Sequence, residues 1–215
     1  MCTPAQGHCV RLEKSMSANC NFNDVYNHPL SQRGNPTMAR FTAIAADQAN
    51  GATAQVYAGI KQALGKVPNA YAALGTLAPQ ALTAILSADK ILASGPLSKA
   101  DQETVKLVIS ELAGCDYCVA AHSMVGKMAG LSPDTLRQIR QGNATGDAKR
   151  DVLVRFVRGL ALNPGTVPEE DVQALQAVGY SGEEIVHIGL AISVITFTNV
   201  FNRINDTVVD FPVPQ

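Results

Sequence analysis

Cys115 and Cys118 stand three residues apart, and His122 follows four residues after the second, all within the stretch from Glu111 to His122. At about 3.6 residues per turn, positions i, i+3 and i+7 share one helix face. On a helix, these three side chains therefore form a single polar stripe. Gly114 reads as the end of one helix, which sets Cys115 in the first turn of the next. Unpaired backbone N–H groups and the helix dipole at that end favour a thiolate. Two cysteines so placed, with a histidine one turn on, make a redox-active arrangement.

Three readings compete for the pair. Two small residues could fall by coincidence on a core helix. Cys115, Cys118 and His122 could be three ligands of a zinc ion, with an acid as the fourth. Or one thiol could attack a substrate and the other resolve the product as a disulfide. The chain beyond Cys20 has no other cysteine, and His122 shares the stripe, which argues against coincidence. A structural zinc usually draws on two separated ligand pairs, and the second is missing here. Dithiol chemistry leads.

With Glu103 added, the pattern resembles the alkyl hydroperoxidase D-like branch of the carboxymuconolactone decarboxylase family. That branch has a glutamate twelve residues before the first cysteine, then CxxC, then a histidine four residues after the second cysteine, as Glu103, Cys115, Cys118 and His122 stand here. The resemblance follows helix order from Ala54 to Asp206. It implies an all-α, multi-helix bundle, assembled as a homo-oligomer (trimer or hexamer), which reduces organic hydroperoxides or hydrogen peroxide without a bound cofactor. It also implies that Cys118 is the peroxidatic cysteine, Cys115 the resolving one, and Glu103 and His122 a proton relay. Each turnover would draw on a dithiol reductant, a lipoyl group or a thioredoxin-like protein. One position departs. The best-studied members carry a second histidine just before the second cysteine, where this chain has Tyr117. A tyrosine donates a hydrogen bond but is a poor base near neutral pH. Tyr117 is expected either to pack or to wall the site, in a subgroup called peroxidase-related. Two alternatives stand beside this: a lactone decarboxylase, which does not require the CxxC, and a non-enzymatic thiol sensor that switches an interface through Cys115 and Cys118.

The relay has a rationale of its own. Thiolate, not thiol, attacks an O–O bond, so a group must take the Cys118 proton. His122 lies one turn along the same face and, held by a carboxylate, could return a proton to the departing oxygen. Glu103 belongs to the preceding helix. It reaches His122 only if the chain reverses sharply at Gly114, and that contact is expected from the resemblance alone. Glu103 could otherwise be a favourable charge near a helix N-terminus. Glu111, closer in sequence to Cys115, reads as a solvated acid. His187 reads as a structural histidine, and Asn199, Asn202 and Asn205 as interhelical hydrogen-bond partners rather than catalytic groups.

The surrounding elements are legible from punctuation. Residues 1–37 are rich in Asn, Ser, Pro and Gly and show no period, so an irregular N-terminal extension is expected, followed by a helical domain over 38–215. Cys2, His8, Cys9 and Cys20 match no compact zinc spacing. From Asn50 onward the pattern is helical, with breaks at Gly65–Pro68, Ala78–Pro79, Gly95–Pro96, Gly114, Gly130, Gly142, Asn163–Gly165 and Val178. Leu64, Ile91 and Leu160 fall on the apolar stripes of their helices. Ser181 and Glu184 make a capping box before a long, nearly uncharged final helix, expected to be buried with part in a subunit interface. No segment alternates as a strand does.

Composition agrees. Hydrophobic residues make up 47% and aromatic residues 5% of 215, so the core must be built of Ala, Leu, Ile and Val, which favours helices. A net charge of −1 offers no attraction to nucleic acid or to an acidic membrane surface. The apolar run from Ile188 to Phe201 is interrupted by polar residues and falls short of a membrane span. Five cysteines, an odd number without a secretory signal, do not look like a disulfide framework. A cytoplasmic location is expected.

Overall fold

The computed structural model describes residues 38–214. The sequence expectations for residues 1–37, including Cys2, His8, Cys9 and Cys20, lie outside them. Among the described residues there are nine α-helices and no strand: α1 Gly51–Leu64, α2 Asn69–Leu77, α3 Pro79–Ser94, α4 Lys99–Leu112, α5 Asp116–Met128, α6 Pro133–Gln141, α7 Ala148–Leu162, α8 Glu169–Ala177 and α9 Gly182–Asn205. Their ends fall where local chemistry sets them. Ser98 accepts from Asp101 N–H, Ser132 from Thr135 N–H, and Asp147 from Lys149 and Arg150 N–H. Ser181 and Glu184 form the reciprocal capping box that starts α9.

Helix α4 is the axis of the molecule. It packs against α5, α6, α7 and α9, and every residue from Asp101 to Ser110 is buried. Val105, Leu107 and Val108 are fully enclosed, each worth about 1.5–3 kcal/mol of burial. That gain survives only if the polar residues on the same helix are satisfied, and they are. Gln102 donates to the carbonyls of Leu92 and Leu97, both at 2.8 Å, and Lys106 pairs with Asp89 at 2.7 Å. The main core runs through α4 to α9, while Tyr57, Ile60, Leu74 and Leu82 form a smaller one among α1, α2 and α3, closed by Phe201.

Two expectations about burial are corrected. Leu64, Ile91 and Leu160 sit on apolar stripes by spacing yet are exposed, Leu64 as the last residue of α1. Helix α9 is buried on one face only. Ile188, Ala191, Val194, Ile195 and three asparagines point inward, while Val186, Phe197, Val200 and Ile204 are exposed. By length and apolarity α9 could cross a membrane. Here it is packed lengthwise against α3, α4 and α5.

Candidate active site

The connection between α4 and α5 is three residues long. Gly114 takes φ 62°, Gly114 N–H reaches Glu111 O at 3.0 Å, and Cys115 N–H reaches Ser110 O at 3.1 Å. This is a Schellman closure, and the left-handed residue it needs suits a glycine. Cys115 therefore ends α4 and at once begins α5. It is the N-cap of α5 rather than a residue of its first turn, its sulfur accepting from Cys118 N–H at 3.4 Å. The chain reverses and lays α5 along α4. Gly126 lets the two helices and α6 close up, since a Cβ there would meet a Leu136 methyl at 2.8 Å and lie 3.7 Å from Glu103 Cβ.

That reversal brings Glu103 to His122. Glu103 Oε2 lies 2.7 Å from His122 Nδ1, and Oε1 lies 3.0 Å from Lys99 Nζ. Glu103 is 1% exposed. Burial pushes its pKa up, but the charge of His122, the hydrogen bond to it, and the Lys106 and Lys99 ammoniums outweigh burial and bring it down from 4.5 to about 2. The carboxylate is thus ionised throughout the physiological range. It fixes the imidazole with Nδ1 inward and leaves Nε2 as the ring's exchangeable nitrogen.

Cys115 and Cys118 are free, both buried, with their sulfurs 2.6 Å apart. Their acidities diverge. The hydrogen bond from the Cys118 thiol draws Cys115 down, against burial, and the Cys118 N–H adds to it. Burial pushes Cys118 up, with the hydrogen bond and charge of Cys115 acting the same way, while the amide of Asn202 draws it down. The two sulfurs titrate as a pair whose first negative charge falls on Cys115.

Asn202 on α9 is the residue that sequence reasoning placed in the helix packing and not in the site. Its Nδ2 donates to Cys118 Sγ at 3.3 Å. Asn199, one turn earlier, accepts from Ser110 at 3.2 Å, as an interhelical partner should. The three-residue spacing of the asparagines was visible; which one meets a sulfur was not. Tyr117 faces α2 and the C-terminal segment. Its hydroxyl donates to Asp210 Oδ1 at 2.8 Å and accepts from Ala70 N–H at 3.1 Å, and its ring meets Phe211 edge-on at 5.4 Å. Asp210 also approaches Asn69 N–H at 3.4 Å and pairs with Lys66 at 2.8 Å. Because Pro68 offers α2 no side-chain cap, Tyr117 and Asp210 supply it. Glu111 pairs with Arg140 at 2.7 Å and His187 bonds the Glu183 carbonyl at 2.9 Å, so neither joins the cysteines. Among the described residues, no three His, Cys, Asp or Glu side chains converge as metal ligands.

Residues 77–149, which hold Glu103, both cysteines and His122, match the sequence profile of the carboxymuconolactone decarboxylase family. The fold is shared with a peroxidase-related protein of Ralstonia eutropha that has an alkylhydroperoxidase D core. That likeness has a TM-score of 0.72 at 19% identity, over 80% of this chain and 92% of that one. Over residues 77–149 the chain is thus similar to the carboxymuconolactone decarboxylase family, and the rest of the helical core shares the fold of that solved structure. A peroxidase-related protein of Silicibacter sp. superposes with a TM-score of 0.65 at 21% identity, over 81% of this chain and 94% of that one. So does a Cys→Ala variant of the debrominase Bmp8 in complex with 2,3,4-tribromopyrrole, with a TM-score of 0.64 at 20% identity, over 80% and 91%. No curated protein matches the sequence significantly. The likeness to these proteins, one of them named a debrominase, lies in the fold.

Proposed function

We propose that this protein is a thiol-dependent peroxidase that reduces small organic hydroperoxides through Cys118 and Cys115. The observation that carries the reading is a carboxylate–imidazole pair, Glu103 and His122, one helical turn from two buried, adjacent cysteines. In the first step, His122 Nε2 takes the Cys118 proton. The thiolate then attacks the terminal oxygen of the hydroperoxide, the O–O bond breaks, and the alkoxide leaves as alcohol with the proton returned from His122. Cys118 is now a sulfenic acid. The Cys115 thiolate displaces its hydroxide, which leaves as water, and a Cys115–Cys118 disulfide remains. Two electrons have passed from the dithiol to the peroxide. An external dithiol, a lipoyl group or a thioredoxin-like protein, restores them, and a reducing cytoplasm suits the free thiols. Copies associate through the exposed apolar face of α9.

The likeness to Bmp8 favours one second reading, in which the same two electrons remove a halogen from a small aromatic ring. The experiment mixes reduced protein with one equivalent of cumene hydroperoxide or, in a parallel arm, 2,3,4-tribromopyrrole. Thiols are trapped at successive times and the oxidised cysteines located by mass spectrometry. The peroxidase reading expects a Cys115–Cys118 disulfide within seconds in the first arm, abolished by Cys118→Ser and slowed by His122→Ala. Thiols that stay reduced for minutes with cumene hydroperoxide would refute it. Oxidation by the bromopyrrole alone would establish the second reading.

A further inference from the structure

The two sulfurs titrate as a pair, and two backbone-derived donors compete to hold its charge. On one side stands the N-cap, Cys118 N–H against Cys115 Sγ. On the other stands a four-link chain that ends on Cys118. Phe41 N–H donates to Asn205 Oδ1 at 2.9 Å, Asn205 Nδ2 to Thr207 Oγ1 at 2.9 Å, Thr207 Oγ1 to Asn202 Oδ1 at 2.8 Å, and Asn202 Nδ2 to Cys118 Sγ at 3.3 Å. Asn202, Asn205 and Thr207 are all buried.

The chain has only one polarity. A backbone N–H can only donate, so Asn205 must present its oxygen to Phe41 and its NH₂ to Thr207. The Thr207 hydroxyl, already accepting, gives its single proton to Asn202. Asn202 must then turn its NH₂ toward the sulfur. No flip of either amide preserves the bonds. An N–H donor favours a thiolate over a thiol, which needs no donor.

Local structure builds the chain for this purpose. Asp206 takes the left-handed conformation, φ 53°, which a short polar side chain tolerates, and so ends α9 and folds Thr207 back over Asn202. The anchor end is held separately. Arg40 N–H bonds Asn205 O at 2.7 Å and the Arg40 guanidinium bonds Ile204 O at 2.7 Å, clamping residues 40–41 onto the end of α9.

We infer that Asn202 is a positioning residue for the attacking thiol, and that the clamped 40–41 segment, acting through Asn205 and Thr207, polarises its amide to draw the dithiol's negative charge from Cys115 onto Cys118. This deepens the dithiol reading and rests on it, but it concerns charge placement and needs no peroxide. The other charged and titratable groups around the pair are Tyr71 on α2, Glu103 on α4, Asp116, Tyr117 and His122 at α5, and Arg203 on α9. The variants below change none of them.

The test is competitive alkylation of the reduced full chain by substoichiometric iodoacetamide from pH 6 to 10. The ratio of label on Cys118 to label on Cys115 is read by mass spectrometry. Wild type sets the ratio and its pH midpoint. Asn202→Ala and Thr207→Val should each lower the Cys118:Cys115 ratio about tenfold near neutral pH, a shift of about one pH unit in the midpoint for loss of one donor to a charged sulfur. Thr207→Ser keeps the hydroxyl and should restore the wild-type ratio. A general loosening would expose both thiols and drive the ratio toward that of the urea-unfolded chain, which Thr207→Ser would not reverse selectively. The inference is overturned if Thr207→Val keeps the wild-type ratio, or if Ser and Val at position 207 behave alike. If cumene hydroperoxide proves inert while the ratio responds as described, the peroxidase reading fails and the charge-placing role stands.

Discussion

Glu103→Gln tests the part of the site on which the proton chemistry depends. Glutamine keeps the volume and an oxygen for His122 Nδ1–H but loses the charge. In the folded protein the Glu103 pKa falls from 4.5 to about 2, and His122 is the largest of the groups that lower it. A hydrogen bond to a charged group is worth about 1.5–3 kcal/mol, so losing the carboxylate's charge against the imidazolium costs about 10- to 100-fold. On the proposed relay the imidazolium forms as His122 takes the Cys118 proton, so the variant should oxidise about 10- to 100-fold more slowly in a single turnover with cumene hydroperoxide, followed by quenched alkylation. Stability supplies a second reading of the same charge. The pKa is lower folded than unfolded, so the contribution of Glu103 is fully present above about pH 5 and lost as pH falls toward 2, about 3 kcal/mol in all. Urea melts at pH 6, 4 and 2.5 should show wild type losing that increment and Glu103→Gln lacking it. Variant kinetics within twofold of wild type, with an unchanged circular dichroism spectrum, would refute the relay. Parallel melts for the two proteins would refute the depressed pKa.

Three shorter predictions follow from geometry elsewhere. Gly114→Ala meets no atom within 4 Å, so its cost is that of φ 62° on an L-residue, about 1–2 kcal/mol, and thermal melting should shift down by about 2–8 °C. Tyr117→Phe removes the acceptor of Ala70 N–H and the donor to Asp210. It should cost about 1–3 kcal/mol and raise amide exchange over residues 207–211 and the first turn of α2, with α6 and α7 unaffected. Val200→Glu with Ile204→Glu should convert a sedimenting oligomer to monomer. Wild type that sediments as a monomer at micromolar concentration would sink the α9 interface.

Much of the frame follows from local rules. Helix ends at Ser98, Ser132, Asp147 and Ser181 are set by side chains bonding N–H groups two or three residues away, and Gly114 and Gly142 close helices through left-handed turns. Such interactions close within one turn of chain, so sequence specifies them without knowledge of the fold. The stripe of Cys115, Cys118 and His122 is likewise a matter of helical period. Tertiary structure decided the partners. Glu103 meets His122 only because the α4–α5 reversal is tight and Gly126 lets the helices close. Asn202 meets Cys118 across 84 positions, while Asn199, at the same spacing and on the same helix, meets Ser110 instead. Tyr117, inside the CxxC, turns to cap α2. The polar residues of α4, which spacing would assign to solvent, are buried because α5, α6, α7 and α9 surround that helix. Period tells which side chains share a face. Whether that face meets water, carbon or a thiol depends on which distant segments pack against it.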